Sequence, residues 1–424
     1  MSLELKPLRP LFISPYAGAL IDPSQKQSFG GMEVRALIFA RGLAQKNGIA
    51  VKFGIFGERN GETSRFHELE IHHLCLSDYS YLREKIREFK QFADRSDEFP
   101  WVKIHKLDIK LLRLFPLMGF IFIRNRVIRG RPYRPIFRRE LKAINANVTC
   151  LFKPGRLTSD LILSSQRLKR RTILFLTSNK DLEAHAYKNS KVLSATGEPG
   201  HACFLSIARA DKVIVQTEYQ LNLLWERFKR KGVLIRNPID LTTHASGPSP
   251  LQDPYALWVG KADMKNKHPE RCFALARAFP STKFLIVMNR RNTVEYEKLM
   301  SEMPDNVFHV ENVPFDEIEI YFQHAKVFLN TSDYEGFPNT FLQAGKYGVP
   351  ILSYNVDPDS FIRRGGCGYC ADGRMESMIE KFNILWNDEQ HHKSASKRIR
   401  EYVRENHDLK ICSTLLESTL RDLL

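Results

Sequence analysis

The sequence predicts an α/β protein made of two domains, each with a doubly wound parallel sheet, that face each other across a cleft. Hydrophobic strand-like runs alternate with helical patterns in two separate blocks, and such alternation is typical of parallel sheets. A stretch rich in Ser, Thr, Pro and Gly separates the blocks, which is the composition expected of an interdomain hinge. With 424 residues and 43% hydrophobic content, the chain can bury more than one core.

The first block begins with a strand, a polar loop that ends in two glycines, and a helix with an apolar side. Residues 58–150 are irregular by comparison and include a charged helix near 81–93. The predicted elements are strands 11–14, 51–57, 172–177, 212–217 and 232–236, and helices 34–43, 198–210 and 218–230.

The second block alternates more regularly and ends in helical patterns. It is predicted to contain strands 256–260, 283–288, 307–310, 326–330 and 350–353, and helices 269–279, 293–303, 315–324, 339–347, 394–406 and 409–424. We therefore expect a first domain over 1–240, a hinge over 241–254, a second domain over 255–405, and a C-terminal helix over 406–424.

The chain is strongly basic, with a formal net charge of +16, which favours a polyanionic partner. Much of this charge lies in residues 101–142, where Lys and Arg greatly outnumber Asp108 and Glu140 around an apolar run at 111–123. This mixture suits an anionic membrane surface, but it also suits a buried helix with a solvated basic flank. Nucleic acid is not an expected partner, because no helix-turn-helix, zinc-finger or RNA-recognition signature accompanies the charge.

The cysteines favour a reduced, cytoplasmic compartment. There are seven of them, an odd and unpatterned set, and no secretory signal peptide precedes them. No apolar run reaches the roughly 18 residues of a membrane span. Cys367 and Cys370 form a lone Cys-x-x-Cys in a predicted loop, and a zinc site needs four ligands. We expect no metal.

Residues 330–342 carry the most specific chemistry. They read Asn-Thr-Ser-Asp-Tyr-Glu-Gly-Phe-Pro-Asn-Thr-Phe-Leu and place Glu335 and Gly336 between a buried strand and a helix that starts near Asn339. A strand, a tight polar loop and a helix N-terminus form a corner that binds anions and hydroxyls at the carboxyl edge of a parallel sheet. This segment resembles the nucleotide-sugar site of the family 4 (group 1 type) retaining glycosyltransferases, which have the GT-B fold.

The resemblance implies a role for each matching residue of this segment. Glu335, with the backbone amides of Gly336 and Phe337, would hold the hydroxyls of the donor sugar. The helix that begins with Asn339 and Thr340 would present free amides to the diphosphate. The family's second Glu, which binds the ribose, is Gln343 in this chain. A neutral amide gives a weaker hydrogen bond to the ribose than a carboxylate does.

Residues 258–270 resemble the family's other phosphate-binding segment. Lys261 occupies the position of the family's Arg, and Lys267 occupies that of its Lys. Cations at these positions would stabilise the charge that develops on the departing nucleoside diphosphate without a metal ion. Lys lacks the bidentate fork of Arg, so geometric control at Lys261 should be weaker.

In the first domain, Gly30 and Gly31, followed by Glu33, resemble the family's glycine-rich loop. Glycines there let the backbone approach the donor and acceptor closely. Many family members carry a His near the reacting sugar, and none occurs in residues 147–164. Arg156 and Asp181 are the candidates for lining this part of the cleft.

The sequence therefore predicts a retaining, metal-independent glycosyltransferase without a cofactor. It would use a nucleotide-sugar donor and a saccharide or glycolipid acceptor, and act in the cytoplasm or on the inner face of the membrane. As in GT-B proteins, the last helix should cross back onto the first domain. The alternative is a non-catalytic relative that binds a nucleotide sugar or glycan as a sensor or scaffold, which Gln343, Lys261 and the missing His favour. Glu335, Lys267 and the glycine loop favour the enzyme.

Overall fold

A computed structural model shows two α/β domains with parallel sheets. The structure describes residues 7–22, 29–56, 62–74, 89, 93–95, 102–104, 109, 112–116, 119, 138–188, 192–194, 197–290, 293–311, 313–315 and 317–424.

The first domain contains an eight-stranded sheet in the order β10-β9-β8-β7-β1-β2-β4-β3. Its strands are β1 Pro10–Ile13, β2 Lys52–Phe56, β3 Thr63–Phe66, β4 Leu69–Leu74, β7 Val148–Phe152, β8 Arg171–Phe175, β9 Lys212–Val215 and β10 Val233–Leu234, while β5 Ala93–Arg95 and β6 Val102–Ile104 form a separate antiparallel pair. The neighbouring strands of the large sheet are parallel except at its edge, where β3 runs antiparallel to β4.

Helices cover both faces of this sheet. They are α1 Gly18–Ile21, α2 Gly31–Ala44, α3 Arg138–Ala143, α4 Arg156–Arg167, a 3₁₀ helix Asn179–Tyr187, α5 Gly200–Arg209 and α6 Glu218–Phe228. One core lies under α2, and the other lies under α4, α5 and α6.

The second domain contains a six-stranded sheet in the order β13-β12-β11-β14-β15-β16, and its paired strands are all parallel. Its strands are β11 Tyr255–Lys261, β12 Lys283–Asn289, β13 Val307–Val310, β14 Ala325–Asn330, β15 Ile351–Ser353 and β16 Gly368–Cys370. Its helices are α7 Pro269–Ala278, α8 Thr293–Ser301, α9 Ile318–Gln323, α10 Asn339–Tyr347, α11 Phe361–Gly365, α12 Met375–Asn387 and α13 Glu389–His407, and α14 Leu409–Arg421 ends the chain.

The prediction that residues 58–150 are irregular is wrong for a strand at the centre of the first sheet. Val148–Phe152 is a fully buried strand that pairs with both β1 and β8, in the middle of the first sheet. The chain moves from β1 to β2 on one side and later returns to β7 on the other side of β1. The topological switch point of the sheet, where α/β folds bind ligands, therefore lies between β1 and β7.

Three further predictions need correction or fall outside the described residues. Gly368–Cys370 is not a loop, because it forms the edge strand β16 against β15. The charged helix near 81–93 lies outside the described residues apart from Phe89 and Ala93, and Ala93 begins β5. Most of the basic segment 101–142 also lies outside them.

The last two helices connect the domains. In α14, Cys412, Leu416 and Leu420 join the core that α2 forms in the first domain. A Cβ at Gly42 of α2 would lie 2.5 Å from Leu409 Cδ1, so a small residue is needed for this contact. The backbone N–H of Ile239, just before the predicted hinge, donates to His407 O at 2.8 Å.

His407 itself is fully buried at this junction. Its ring packs 4.6 Å from that of Phe337, and its Nδ1 donates to Asn237 O at 2.7 Å. Burial lowers the pKa of His407 to about 3, so the ring is neutral in the folded protein. In the described part of the chain, no helix is long and apolar enough to cross a membrane.

Candidate active site

The loops that follow β11 and β14 meet at the switch point of the second sheet. β11 has β12 on one side and β14 on the other, so the loops after β11 and β14 flank the crevice where ligands bind in such sheets. Thr331 ties the two loops together: its Oγ1 donates to Lys267 O at 2.6 Å and accepts from Trp258 Nε1 at 2.7 Å. Asp333 N also donates to Asn266 O at 3.0 Å.

Lys267 and Glu335, 68 residues apart in the chain, form an ion pair in this corner. Their side chains are 29% and 18% exposed. Ser332 Oγ donates to the same carboxylate oxygen of Glu335 at 3.0 Å. The structure thus brings together a cation and a carboxylate that the sequence assigned to the donor phosphate and the donor sugar.

His268, to which sequence reasoning gave no role, supports this corner. Its backbone is left-handed, with φ of 49°, and its ring nitrogens lie 2.7 Å from Glu270 Oε1 and 2.8 Å from Asp333 Oδ2. Arg271 Nη1 donates to Asp333 at 2.6 Å and to Thr331 O at 2.9 Å. Partial burial raises the pKa of Asp333, but the hydrogen bonds from Arg271 and His268 lower it below its ordinary value. This network fixes the residues on both sides of Lys267 and Glu335.

Helix α10 begins beside the corner and contacts the glycine loop of the first domain. Asn339, its first residue, donates from Nδ2 to Gly31 O at 2.9 Å. Asn237 Nδ2 donates to Asn339 Oδ1 at 3.1 Å and to Phe337 O at 3.0 Å. The N-terminus of α10 and Gly31 therefore face each other across the cleft.

Thr340 and Gln343 lie further along α10 and are half-buried, while the Phe337 side chain is buried. The Phe337 ring stacks on Phe361 with centroids 5.3 Å apart. The structure thus places these predicted donor contacts on one helix and the loop before it.

Gly336 lies where the two domains come closest. A Cβ there would lie 2.4 Å from Gln216 Nε2 and 2.8 Å from Thr177 O, both in the first domain. Next to it, the Lys180 ammonium of the first domain lies 3.4 Å from the ring centroid of Tyr334. The carboxyl edge of the first sheet therefore faces the Lys267–Glu335 corner.

On the first-domain side, Glu33 caps α2. Its Oε2 accepts from Gly30 N at 2.8 Å, and its side chain is buried. Burial raises the pKa of Glu33, and the backbone hydrogen bonds and the charges of Lys261 and Lys153 oppose this shift. Lys261 of the second domain is therefore close enough to act on the glycine loop.

The two candidates for lining the first-domain side of the cleft, Arg156 and Asp181, are engaged in local structure. Arg156 begins α4, and its N–H donates to Glu198 Oε2 at 3.2 Å. Asp181 is buried, and its Oδ2 accepts from Thr177 N at 2.7 Å and from Ser178 N at 3.0 Å. Burial raises the pKa of Asp181. Its carboxylate serves as the cap of the 3₁₀ helix Asn179–Tyr187.

The six cysteines that the structure describes as free are all buried, Cys367 and Cys370 among them. Among the described residues, no three His, Cys, Asp or Glu side chains are arranged to hold a metal ion.

Comparison with known proteins gives a family match that falls on the second domain. Residues 241–405 match the family described as glycosyl transferases group 1. An uncharacterized glycosyltransferase of Haemophilus influenzae is 22% identical over 209 residues, which are 46% of this chain and 58% of that protein. The match thus spans less than two thirds of this relative's length.

Solved structures resemble the whole chain. Sucrose-phosphate synthase from Thermosynechococcus elongatus superimposes with a TM-score of 0.64 at 14% identity, over 98% of this chain and 99% of its own. Anabaena HepE in complex with UDP and glucose gives a TM-score of 0.65 at 12% identity, over 98% and 100% of the two chains.

These likenesses, with two parallel-sheet domains meeting at a cleft, define the class: the protein has the GT-B fold of glycosyltransferases. Residues 241–405 match the model of the group 1 glycosyltransferases, and this match confirms the resemblance seen in residues 330–342.

Proposed function

We propose that this protein is a retaining glycosyltransferase that moves a sugar from a nucleotide-diphosphate sugar to an acceptor hydroxyl. The Lys267–Glu335 pair carries this proposal, because it lies at the switch point of the second sheet beside the N-terminus of α10 and opposite Gly31. A cation, a carboxylate and free helix amides at one corner suit a ligand that is part diphosphate and part polyol.

The donor diphosphate would lie among Lys261, Lys267 and the first amides of α10, which begins at Asn339. During transfer the bond from the anomeric carbon to the diphosphate breaks, and negative charge grows on the departing phosphate oxygen. Lysines already held in position stabilise that charge, and removing one such group typically costs about 2.7–4 kcal/mol of transition-state stabilisation. We propose that the lysines and the helix amides do this without a metal ion.

The donor sugar would be held by Glu335 and by the backbone of Gly336 and Phe337, and the ribose by Gln343. In the free protein, the Lys267–Glu335 pair keeps both side chains in position. Binding then exchanges one ion pair for two contacts with the ligand, Lys267 to phosphate and Glu335 to hydroxyls. The HepE complex with UDP and glucose supports a nucleotide sugar as the donor. Retention of configuration is proposed from the family resemblance.

We propose that the acceptor is a lipid-linked or surface-polysaccharide saccharide, met at the cytoplasmic face of a membrane. Support comes from the basic composition of residues 101–142 and from the exposed apolar side chains of Ile109 and Leu112, which are 71% and 64% exposed. Anionic lipid attracts Lys and Arg at such segments with about 1 kcal/mol each.

Vesicle co-sedimentation tests this surface. Arg124→Gln, Arg126→Gln and Arg129→Gln together should reduce binding to vesicles rich in phosphatidylglycerol. The control pair Lys393→Gln and Lys397→Gln removes two exposed charges from α13 and should change binding little. Equal vesicle binding by the wild type and the triple variant would refute the proposal that this segment binds an anionic membrane.

Calorimetric titration tests the donor site. The wild type is titrated with UDP-, GDP-, ADP-, CMP- and dTDP-sugars without added metal. One donor should bind saturably, and Glu335→Ala and Lys267→Ala should each weaken it by roughly 100-fold or more. Lys265→Ala is the matched control, because Lys265 is an exposed lysine in the same loop.

Each outcome of the titration decides between hypotheses. Full donor affinity in both site variants would mean that the donor binds elsewhere. If no donor bound to the folded wild type, the proposal that the protein is a glycosyltransferase would be refuted. Binding without release of nucleoside diphosphate, in the presence of saccharide acceptors, would favour the scaffold alternative.

A further inference from the structure

Lys153 lies at the switch point of the first sheet, a position that sequence reasoning missed together with β7. It follows β7 directly, between the carboxyl ends of β1 and β8. Both neighbouring edges face the second domain: Gly31, in the loop and helix after β1, contacts Asn339, and Thr177, after β8, lies against Gly336. Lys153 therefore opens onto the same cleft as the Lys267–Glu335 pair.

The backbone holds Lys153 in an unusual conformation. Its φ is 60°, in the left-handed region that side chains other than Gly, Asn and Asp rarely adopt. It also precedes Pro154, and residues before proline prefer extended backbone. Both backbone groups of Lys153 are fixed, since its N–H donates to Phe175 O at 3.0 Å and its carbonyl accepts from Thr158 Oγ1 at 2.7 Å. A lysine held in such a conformation at a ligand-binding edge points to a function for the side chain.

The Lys153 ammonium is available to bind a ligand. It acts on the carboxylates of Glu33 and Asp181 and opposes the rise of the pKa of each. Both carboxylates are already bound to backbone amides as helix caps. With the residues that the structure describes, the Lys153 ammonium forms no ion pair of its own.

From these observations we infer that Lys153 binds an anionic group, phosphate or carboxylate, on the acceptor saccharide. The inference rests on the proposed function, in which Lys261, Lys267 and the N-terminus of α10 already serve the donor diphosphate from the second domain. Lys153 belongs to the first domain, where the acceptor would lie, and a cation without an ion pair among the described residues selects for negative charge there.

The test compares neutral sugars with their anionic counterparts. Glucose, galactose and mannose, their 6-phosphates and their uronates are titrated into the free protein and into protein saturated with the donor nucleotide. At least one anionic sugar should bind the wild type roughly tenfold or more tighter than its neutral parent. Lys153→Gln should reduce that preference to less than about twofold, and Lys153→Arg should restore much of it.

Lys169→Gln is the matched control. Lys169 is an exposed lysine that also has a left-handed backbone, with φ of 58°, but it lies before β8, at the opposite edge of the sheet. It should keep the wild-type preference. Equal binding of neutral and anionic sugars, failure of every anionic sugar to bind, or an unchanged preference in Lys153→Gln would each overturn the inference.

Donor titration of the same variants separates the two proposals. Lys153→Gln should bind the donor within about twofold of wild type. A loss as large as that of Lys267→Ala would mean that Lys153 belongs to the donor site, and the acceptor inference would be wrong. If no donor binds even the wild type, the proposed function fails, and the sugar titrations still decide whether Lys153 binds an anion.

Discussion

Asp359 connects the two domains through a charged hydrogen-bond cluster, and neutralising it should loosen the junction. Its carboxylate, on the second domain, accepts from the N–H groups of Glu218 and Tyr219 at 2.9 and 3.1 Å. These amides begin α6 of the first domain. Arg236 Nη1 donates to the same carboxylate at 3.0 Å, and the two side chains are only 10% and 16% exposed.

Asp359→Asn isolates the charge, because Asn tolerates the left-handed φ of 51° at this position. The amide oxygen can still accept one N–H, but the charge at the helix N-terminus and one charged hydrogen bond are lost. These losses correspond to about 2–3 kcal/mol. Arg236 keeps Glu218, 3.3 Å away, as a partner.

Hydrogen exchange followed by mass spectrometry measures the effect locally. Protection of the first turn of α6 should fall by roughly 30- to 160-fold, since each tenfold change corresponds to about 1.4 kcal/mol. Asp372→Asn is the control, because Asp372 also has a left-handed backbone and pairs with an arginine, Arg363, but is 51% exposed. Its loss should cost about 0–1 kcal/mol. If Asp359→Asn left the protection of the first turn of α6 unchanged, or lowered it no more than Asp372→Asn does, the Asp359 charge would not hold this junction together.

Three further predictions test other parts of the structure. Gly336→Ala should raise the KM for the donor by tenfold or more, on the order of 1.4 kcal/mol, because its Cβ would lie 2.8 Å from the fixed carbonyl of Thr177; an unchanged KM would show that this approach is not needed. Gln343→Glu should tighten nucleotide binding by about 1 kcal/mol, and weaker binding in calorimetry would count against a ribose contact. His407, with its folded pKa lowered from 6.5 to about 3, binds fewer protons folded than unfolded, so stability should fall as pH drops below 6.5. Between pH 7.5 and 5.0, the free energy of unfolding should fall by about 2 kcal/mol because of His407. Urea unfolding at the two pH values should show this loss in the wild type, and His407→Asn should lack it.

Much of the fold could be predicted because its strands are strongly apolar and its helices strongly periodic. Strands β11, β12 and β14 are nearly continuous hydrophobic runs, and the predicted bounds lie within a residue of those observed. β7 was missed although Val148–Phe152 is fully buried and as long as β8, which the sequence did predict. Its strand conformation depends on pairing with β1 and β8, which are distant in sequence.

In the candidate site, too, the sequence predicts some residues and misses those that only tertiary contacts define. Glu335 and Lys267 could be found because they lie in local motifs of recognisable residue types. Lys153 and His268 could not, because their positions depend on left-handed backbone and on contacts that form only in the folded chain. Their residue types occur many times in this basic sequence and carry no local signal.

A crystal structure of the protein with bound UDP would test the donor site most directly. The diphosphate should lie at the corner between Lys267 and the first amides of α10, with the ribose beside Gln343. The Lys267 ammonium should then lie within hydrogen-bonding distance of a phosphate oxygen. UDP bound away from this corner, with the Lys267–Glu335 pair unchanged, would contradict the proposed donor site.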